Sequence, residues 1–190
     1  MFTVPNLLTL LRIFLVPFFL LASIRGMYTA AFVIFVSAAV TDIFDGMIAR
    51  RFDLRSRLGA ILDPAADKMM MICGYVYYTV ARLPVVAIPT WLTFVVFIRD
   101  FMIATFAYLL YTRVHVKRFP PSWLGKTSTV LQAATLAAVM AANGFAPRLE
   151  PFCEVLFRVV VVVTLYSGWD YLRRGERLLY DGLTRAFEPK

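Results

Sequence analysis

The chain has 190 residues, of which 61% are hydrophobic and 17% charged, and its formal net charge is +8. A soluble domain carries about 45–50% apolar and about 25% charged residues, so this composition excludes an ordinary water-soluble core and points to lipid as the solvent. The basic excess flanks apolar runs and lines no soluble face, which favours an anionic membrane surface and a phosphate-bearing substrate over nucleic acid.

Six apolar segments follow in chain order, at residues 7–23, 28–49, 64–81, 86–111, 123–142 and 152–171. Each approaches the roughly 20 residues that cross a bilayer as a helix. The expected fold is therefore all-α: a polytopic membrane bundle of six transmembrane helices, forming a single domain over residues 1–190. No Lys or Arg precedes the first segment, so it lacks the basic start of a signal peptide and reads as a retained helix. Pro17 predicts a kink within that helix, and Arg25-Gly26 a turn after it. Asp63-Pro64 reads as an N-cap followed by a proline in the first helical turn. Asn143-Gly144 and Pro147 close the fifth segment. Cys73 and Cys153 sit in apolar runs without a CxxC spacing, as small buried hydrophobes. His115 stands alone in a basic loop, Met69-Met70-Met71 reads as helix packing, and Trp91, Trp123, Trp169 and nearby tyrosines read as interfacial aromatics.

Basic residues set the expected orientation. Arg50, Arg51, Arg55 and Arg57 follow the second segment. Arg113, Lys117 and Arg118 follow the fourth, and Arg173, Arg174, Arg177, Arg185 and Lys190 follow the sixth. Only Arg25, Arg82 and Arg148 fall on the other side. The positive-inside rule then puts both termini in the cytoplasm.

Ionisable groups at membrane depth are costly and need a reason. Asp42 and Asp45, three residues apart, share one face of the second helix, and Asp63 and Asp67, four apart, share one face of the third. With a short basic loop between the two helices, the four carboxylates are expected to converge. Their mutual repulsion would be relieved by a hard divalent cation, Mg²⁺ or Mn²⁺. Two such ions would form the arrangement used in phosphoryl transfer, and one carboxylate would take a proton from a nucleophile. Spacing alone also admits neutralisation by the loop arginines, or ion-coupled membrane transport.

The stretch Asp42-Ile-Phe-Asp45-Gly46-Met-Ile-Ala49-Arg50, continued by Gly59, Asp63 and Asp67, resembles the signature D-x2-D-G-x2-A-R-x8-G-x3-D-x3-D of the CDP-alcohol phosphotransferases, and every specified position matches. Val4-Pro5-Asn6-Leu7-Leu8-Thr9-Leu10-Leu11-Arg12 and Leu124-Gly125-Lys126 also look familial. The resemblance implies that Asp42, Asp45 and Asp63 are metal ligands, with Asp67 both ligand and general base. An acceptor hydroxyl would attack the lipid-side phosphate of CDP-diacylglycerol, and CMP would leave. Asp42, Gly46, Ala49, Arg50 and Gly59 would meet the nucleotide. Independently of the family, a glycine inside a helix costs about 1 kcal/mol relative to alanine, which makes sense at Gly46 if a ligand approaches the backbone there. The resemblance further implies a phospholipid-synthesising enzyme of the bacterial inner membrane with a cytoplasmic active site, and suggests a homodimer.

Arg99, Lys126 and Arg158 are the candidates for an acceptor's phosphate, with internal ion pairing as the alternative for Arg99 and Arg158. The opening segment and Leu124-Gly125-Lys126 resemble the phosphatidylglycerophosphate synthase branch, whose acceptor is glycerol 3-phosphate. Arg99-Asp100, in place of Arg-Glu, resembles instead the CMP-forming cardiolipin synthases, which use phosphatidylglycerol. Ala107 stands where the former branch has a second arginine.

Overall fold

The computed structural model describes the backbone at residues 4–52, 59–114 and 122–187, and side chains at 11–41, 68–109, 112 and 122–176. Among the described residues there are six α-helices and no strand, so the all-α expectation holds. The helices are α1 (Val4–Ile24), α2 (Tyr28–Phe52), α3 (Gly59–Val80), α4 (Thr90–Val114), α5 (Trp123–Gly144) and α6 (Glu150–Phe187), with one 3-10 turn at Pro147–Leu149. Helices dominate because each satisfies its own backbone groups, which an apolar chain cannot leave to water. Thr90–Leu109 is long and apolar enough to cross a membrane, while Leu11–Ile24 and Tyr28–Thr41 are shorter apolar stretches. Every helix exposes large apolar side chains, among them Phe14, Val33, Val76, Phe101, Val130 and Leu165.

The chain divides into two compact units. The first comprises Met1–Ile88 and Ala133–Cys153, and the second Pro89–Gln132 and Glu154–Lys190.

In the first unit α1 packs on both α2 and α3, with Phe19 and Phe35 meeting at 6.2 Å between ring centroids. Ser23 joins α1 to α3: its Oγ donates to the Phe19 carbonyl at 2.9 Å and lies 3.3 Å from the Tyr78 hydroxyl, while Tyr77 donates to the Ser23 carbonyl at 2.6 Å. The end of α1 is a Schellman turn. Met27 N–H donates to Ala22 and Gly26 N–H to Ser23, at 2.9 and 3.0 Å, and Gly26 takes the positive φ of 72° that this turn requires. α1 continues through Pro17. Gly74 lets α3 approach the second half of α5, since a Cβ there would lie 2.5 Å from Leu136 Cδ2. Small residues of this kind allow helix backbones to approach closely.

Three expected boundaries move. α3 starts at Gly59, so Asp63 and Pro64 lie within the helix and not at its cap. Ala60-Ile61-Leu62 are competent helix residues, so the helix begins ahead of Pro64, its sixth residue, which gives up the backbone bond to the Ala60 carbonyl. α4 begins at Thr90 and not at residue 86. Pro89 disfavours helical backbone at Ile88, and Asn143 takes up the preceding segment. Its Oδ1 accepts from Val85 and Val86 N–H at 3.0 and 3.4 Å, and its Nδ2 donates to the Val86 and Val139 carbonyls, each at 2.8 Å. Finally, α6 has 38 residues, about 57 Å at 1.5 Å per residue, far longer than the segment at 152–171.

In the second unit, α5 and α6 meet through a buried polar seam. Ser128 and Thr164 hydroxyls lie 3.0 Å apart, and Gln132 Nε2 donates to Ser128 at 3.1 Å. Gly168 and Gly175 of α6 face Met102 and Phe106 of α4.

Asn143 makes a direct prediction. Asn143→Ala strands the Val85 and Val86 N–H groups and should lower stability by about 2 kcal/mol, read from thermal unfolding in detergent.

Candidate functional site

The acidic motif lies on two helices of the first unit. α2 carries Asp42, Asp45, Gly46, Ala49 and Arg50, and α3 carries Gly59, Asp63 and Asp67. The helical backbone there bears out the spacing expected from sequence, with one turn separating the carboxylate positions within each pair. α2 ends at Phe52 and α3 begins at Gly59, so six residues connect them. The side chains of all eight motif residues lie outside the described residues. As a donor set, four carboxylates on adjacent helices in sequence fit a hard divalent cation of the Mg²⁺ or Mn²⁺ type. Among the described residues, no group of three or more His, Cys, Asp or Glu could hold a metal ion. Cys73 is half-buried and Cys153 buried, both as free thiols. His115 lies outside the described residues.

The second cluster is built in the second unit around Arg99 of α4. This guanidinium is only 8% exposed. Its Nη1 donates to Asp100 Oδ1 at 2.8 Å, an ion pair with the neighbouring residue. Its Nη2 donates to Ser167 Oγ of α6 at 2.8 Å and to the Gly125 carbonyl of α5 at 3.4 Å. The Tyr171 ring lies 5.6 Å from the guanidinium carbon, within reach of a cation–π attraction. Ser122 caps α5: its Oγ accepts from Gly125 N–H at 2.9 Å, and its own N–H donates to the Tyr171 hydroxyl at 3.2 Å. A cavity of about 460 Å³ opens here, lined by Arg99, Ile103, Gly125, Lys126, Thr129 and Tyr171 among others. Lys126 is exposed, with its ammonium 5.5 Å from the Trp123 ring centroid.

Of the three cationic candidates, Arg99 and Lys126 line one cavity. Arg158 is exposed on α6 and is not part of that lining. The ion pairing considered for Arg99 exists among the described residues with its neighbour in sequence, Asp100. Ser167 and Tyr171 were not singled out by sequence. Sequence places Tyr171 with the interfacial aromatics; the structure buries it, at 7% exposed, whereas Trp91, Trp123 and Trp169 are exposed. The available signal was the recurrence of Thr164, Ser167, Gly168, Tyr171 and Gly175 at helical spacing in an otherwise bulky apolar segment.

Comparison with known proteins matches residues 2–167 to the model of the CDP-alcohol phosphatidyltransferase family. The chain is 34% identical over 188 residues, 95% of its length, to the CDP-diacylglycerol--glycerol-3-phosphate 3-phosphatidyltransferase of Escherichia coli (strain K12), 98% of which is covered. The same identity and coverage hold for the protein of that name from Shigella flexneri serotype 5b (strain 8401). A probable phosphatidylglycerophosphate synthase of Mycobacterium tuberculosis (strain ATCC 25618 / H37Rv) is 30% identical over 179 residues, 90% of this chain and 81% of that protein. The matched region takes in the acidic motif of α2 and α3 as well as Arg99, Lys126 and Ser167, and the chain belongs to the CDP-alcohol phosphatidyltransferase family.

Proposed function

We propose that this chain is a CDP-diacylglycerol-dependent phosphatidyltransferase that uses glycerol 3-phosphate to form phosphatidylglycerophosphate and releases CMP. The complete acidic motif, carried on α2 and α3 of one unit in a chain matched to the family over residues 2–167, is the observation behind the reaction class. The acceptor is supported by relatives named for transfer to glycerol 3-phosphate, which align over nearly the whole of both chains. Transfer to phosphatidylglycerol, giving cardiolipin, is the second reading and draws on the Arg99-Asp100 pair and Ala107. The named relatives favour the first.

Asp67 takes the proton from the acceptor hydroxyl. The hydroxyl oxygen bonds to the lipid-side phosphorus, the bond from that phosphorus to the CMP oxygen breaks, and CMP departs. Asp42, Asp45, Asp63 and Asp67 would hold two Mg²⁺ or Mn²⁺ ions, which supply neutralisation of charge on the pyrophosphate. Gly46 and Ala49 leave the α2 backbone accessible to the nucleotide, and Arg50 and Gly59 complete its contacts. Arg99 and Lys126 receive the acceptor's phosphate, with Arg158 as a more distant candidate in sequence.

The helices are proposed to span a bacterial inner membrane six times, with both termini and the active site cytoplasmic. The exposed apolar side chains on every helix and the asymmetric basic loops support this. CDP-diacylglycerol would keep its acyl chains in the bilayer while CMP leaves to water, and the working assembly is proposed to be a homodimer.

Four outcomes are expected. Purified protein offered CDP-diacylglycerol with glycerol 3-phosphate, phosphatidylglycerol, inositol 1-phosphate or serine should release CMP with glycerol 3-phosphate; release with phosphatidylglycerol alone would transfer the assignment to cardiolipin synthesis. Chelation should abolish release, and Mg²⁺ or Mn²⁺ should restore it. Asp67→Asn should reduce kcat by about a hundred-fold or more without shifting thermal unfolding; full activity would remove its role as base. In a background lacking Cys73 and Cys153, Arg55→Cys should react with an impermeant thiol reagent only from the cytoplasmic side, and Arg148→Cys only from the opposite side.

A further inference from the structure

Arg99 is charged, nine-tenths buried and bonded to groups on α4, α5 and α6. A buried guanidinium requires compensation for lost water. Asp100 supplies the charge, and Ser167 and Gly125 supply acceptors. Arginine offers five N–H donors in a rigid fork, and here the Nε–H is buried without a hydrogen-bond partner among the described residues. That atom is closed to solvent; what Arg99 offers an outside anion is its place in the lining of the cavity that Lys126 also lines. A phosphate suits it, because a planar guanidinium recognises phosphate oxygens directionally, whereas Lys126 acts as a mobile point charge.

We infer that Ser167, Tyr171 and Gly125 are positioning residues that fix the orientation of Arg99 toward the acceptor's phosphate, resting on the assignment of glycerol 3-phosphate as acceptor and of Arg99 as its contact. Each fixes a different degree of freedom. Ser167 Oγ, 2.8 Å from Nη2, sets the rotation of the guanidinium plane. The Tyr171 ring, 5.6 Å away, closes one side, and its hydroxyl is tied to the start of α5 through Ser122 N–H. Gly125 sets the separation. A Cβ there would lie 2.8 Å from Tyr171 Cε2, 2.9 Å from its hydroxyl oxygen and 3.1 Å from Arg99 Nη2. Any side chain at this position therefore displaces the ring, the guanidinium or both. Thr129 Oγ1 donates to the same Gly125 carbonyl at 3.1 Å, anchoring that oxygen. Lys126, the next residue, reaches the cavity from the same turn of α5.

The test is steady-state kinetics of the purified full chain with CDP-diacylglycerol and glycerol 3-phosphate, with thermal unfolding as the control for folding. Ser167→Ala, Tyr171→Leu and Gly125→Ala should each raise KM for glycerol 3-phosphate on the order of ten-fold, with a smaller change in kcat and KM for CDP-diacylglycerol within about two-fold, the pattern of lost acceptor binding. Ser167→Thr, which restores a hydroxyl, and Tyr171→Phe, which restores the ring, should recover most of that KM. Arg99→Lys should raise the same KM at least as much, because the fork is lost. If Arg99→Lys raises KM for glycerol 3-phosphate while Ser167→Ala and Tyr171→Leu do not, the positioning role is overturned and the acceptor assignment stands. If Arg99→Lys leaves that KM unchanged, the assignment of Arg99 to the phosphate falls, and the positioning role with it. A parallel loss of both KM values, kcat and thermal stability, without recovery by Ser167→Thr or Tyr171→Phe, assigns these residues to folding alone and overturns the inference.

Discussion

A buried polar group in a chain that is 61% hydrophobic must find its partner within the protein, because water is not there to supply one. This requirement operates at every level of the structure. It makes helices the dominant element, since a helix satisfies its own backbone. It then selects which helices meet. In the first unit, Ser23 gathers Tyr77 and Tyr78 of α3 onto α1, and Asn143 of α5 takes three backbone groups of the segment before α4. In the second, Arg99 draws on Ser167 and Gly125, and the Ser128–Thr164 contact continues the seam between α5 and α6.

Small residues make these contacts attainable. At Gly125 and Gly74, a methyl group would meet a neighbouring side chain below 3.0 Å, and at Gly144 it would lie 2.8 Å from the Thr29 backbone nitrogen. Without bulky side chains at these points, helices approach closely enough for short polar side chains to reach one another. Glycine's low helix propensity is thus offset by contacts that only close approach permits.

The same economy of space bears on the proposed reaction. A phosphatidyltransferase has to receive a charged nucleotide and a charged acceptor in a protein whose helices each expose large apolar side chains. Groups held on regular helices are placed more firmly than groups on loops. The motif aspartates occupy such positions in α2 and α3, as Arg99 does in α4. Arg99 adds a second kind of rigidity, since its guanidinium is held by bonds from outside its own helix. In the proposed reaction Lys126 would supply attraction and Arg99 orientation to the acceptor.

The all-α class, the positions of six helices and the acidic motif were legible in sequence, because long apolar segments and fixed carboxylate spacing are local patterns. Helix ends were less so. The start of α3 was set by the helix competence of Ala60-Ile61-Leu62 against the pull of Asp63-Pro64, and the start of α4 by Pro89 together with an asparagine more than fifty residues away. By itself, the sequence determined the reaction family, since the eight motif positions lie within 26 consecutive residues of the chain and need no tertiary information to be recognised. Only the tertiary structure decided the surroundings of Arg99. Asp100 could be read beside it, but Gly125 and Ser167 lie 26 and 68 residues along the chain. Hydrogen bonding and ring contact act through space, so nothing in the spacing of Arg99, Gly125, Ser167 and Tyr171 announces that they meet.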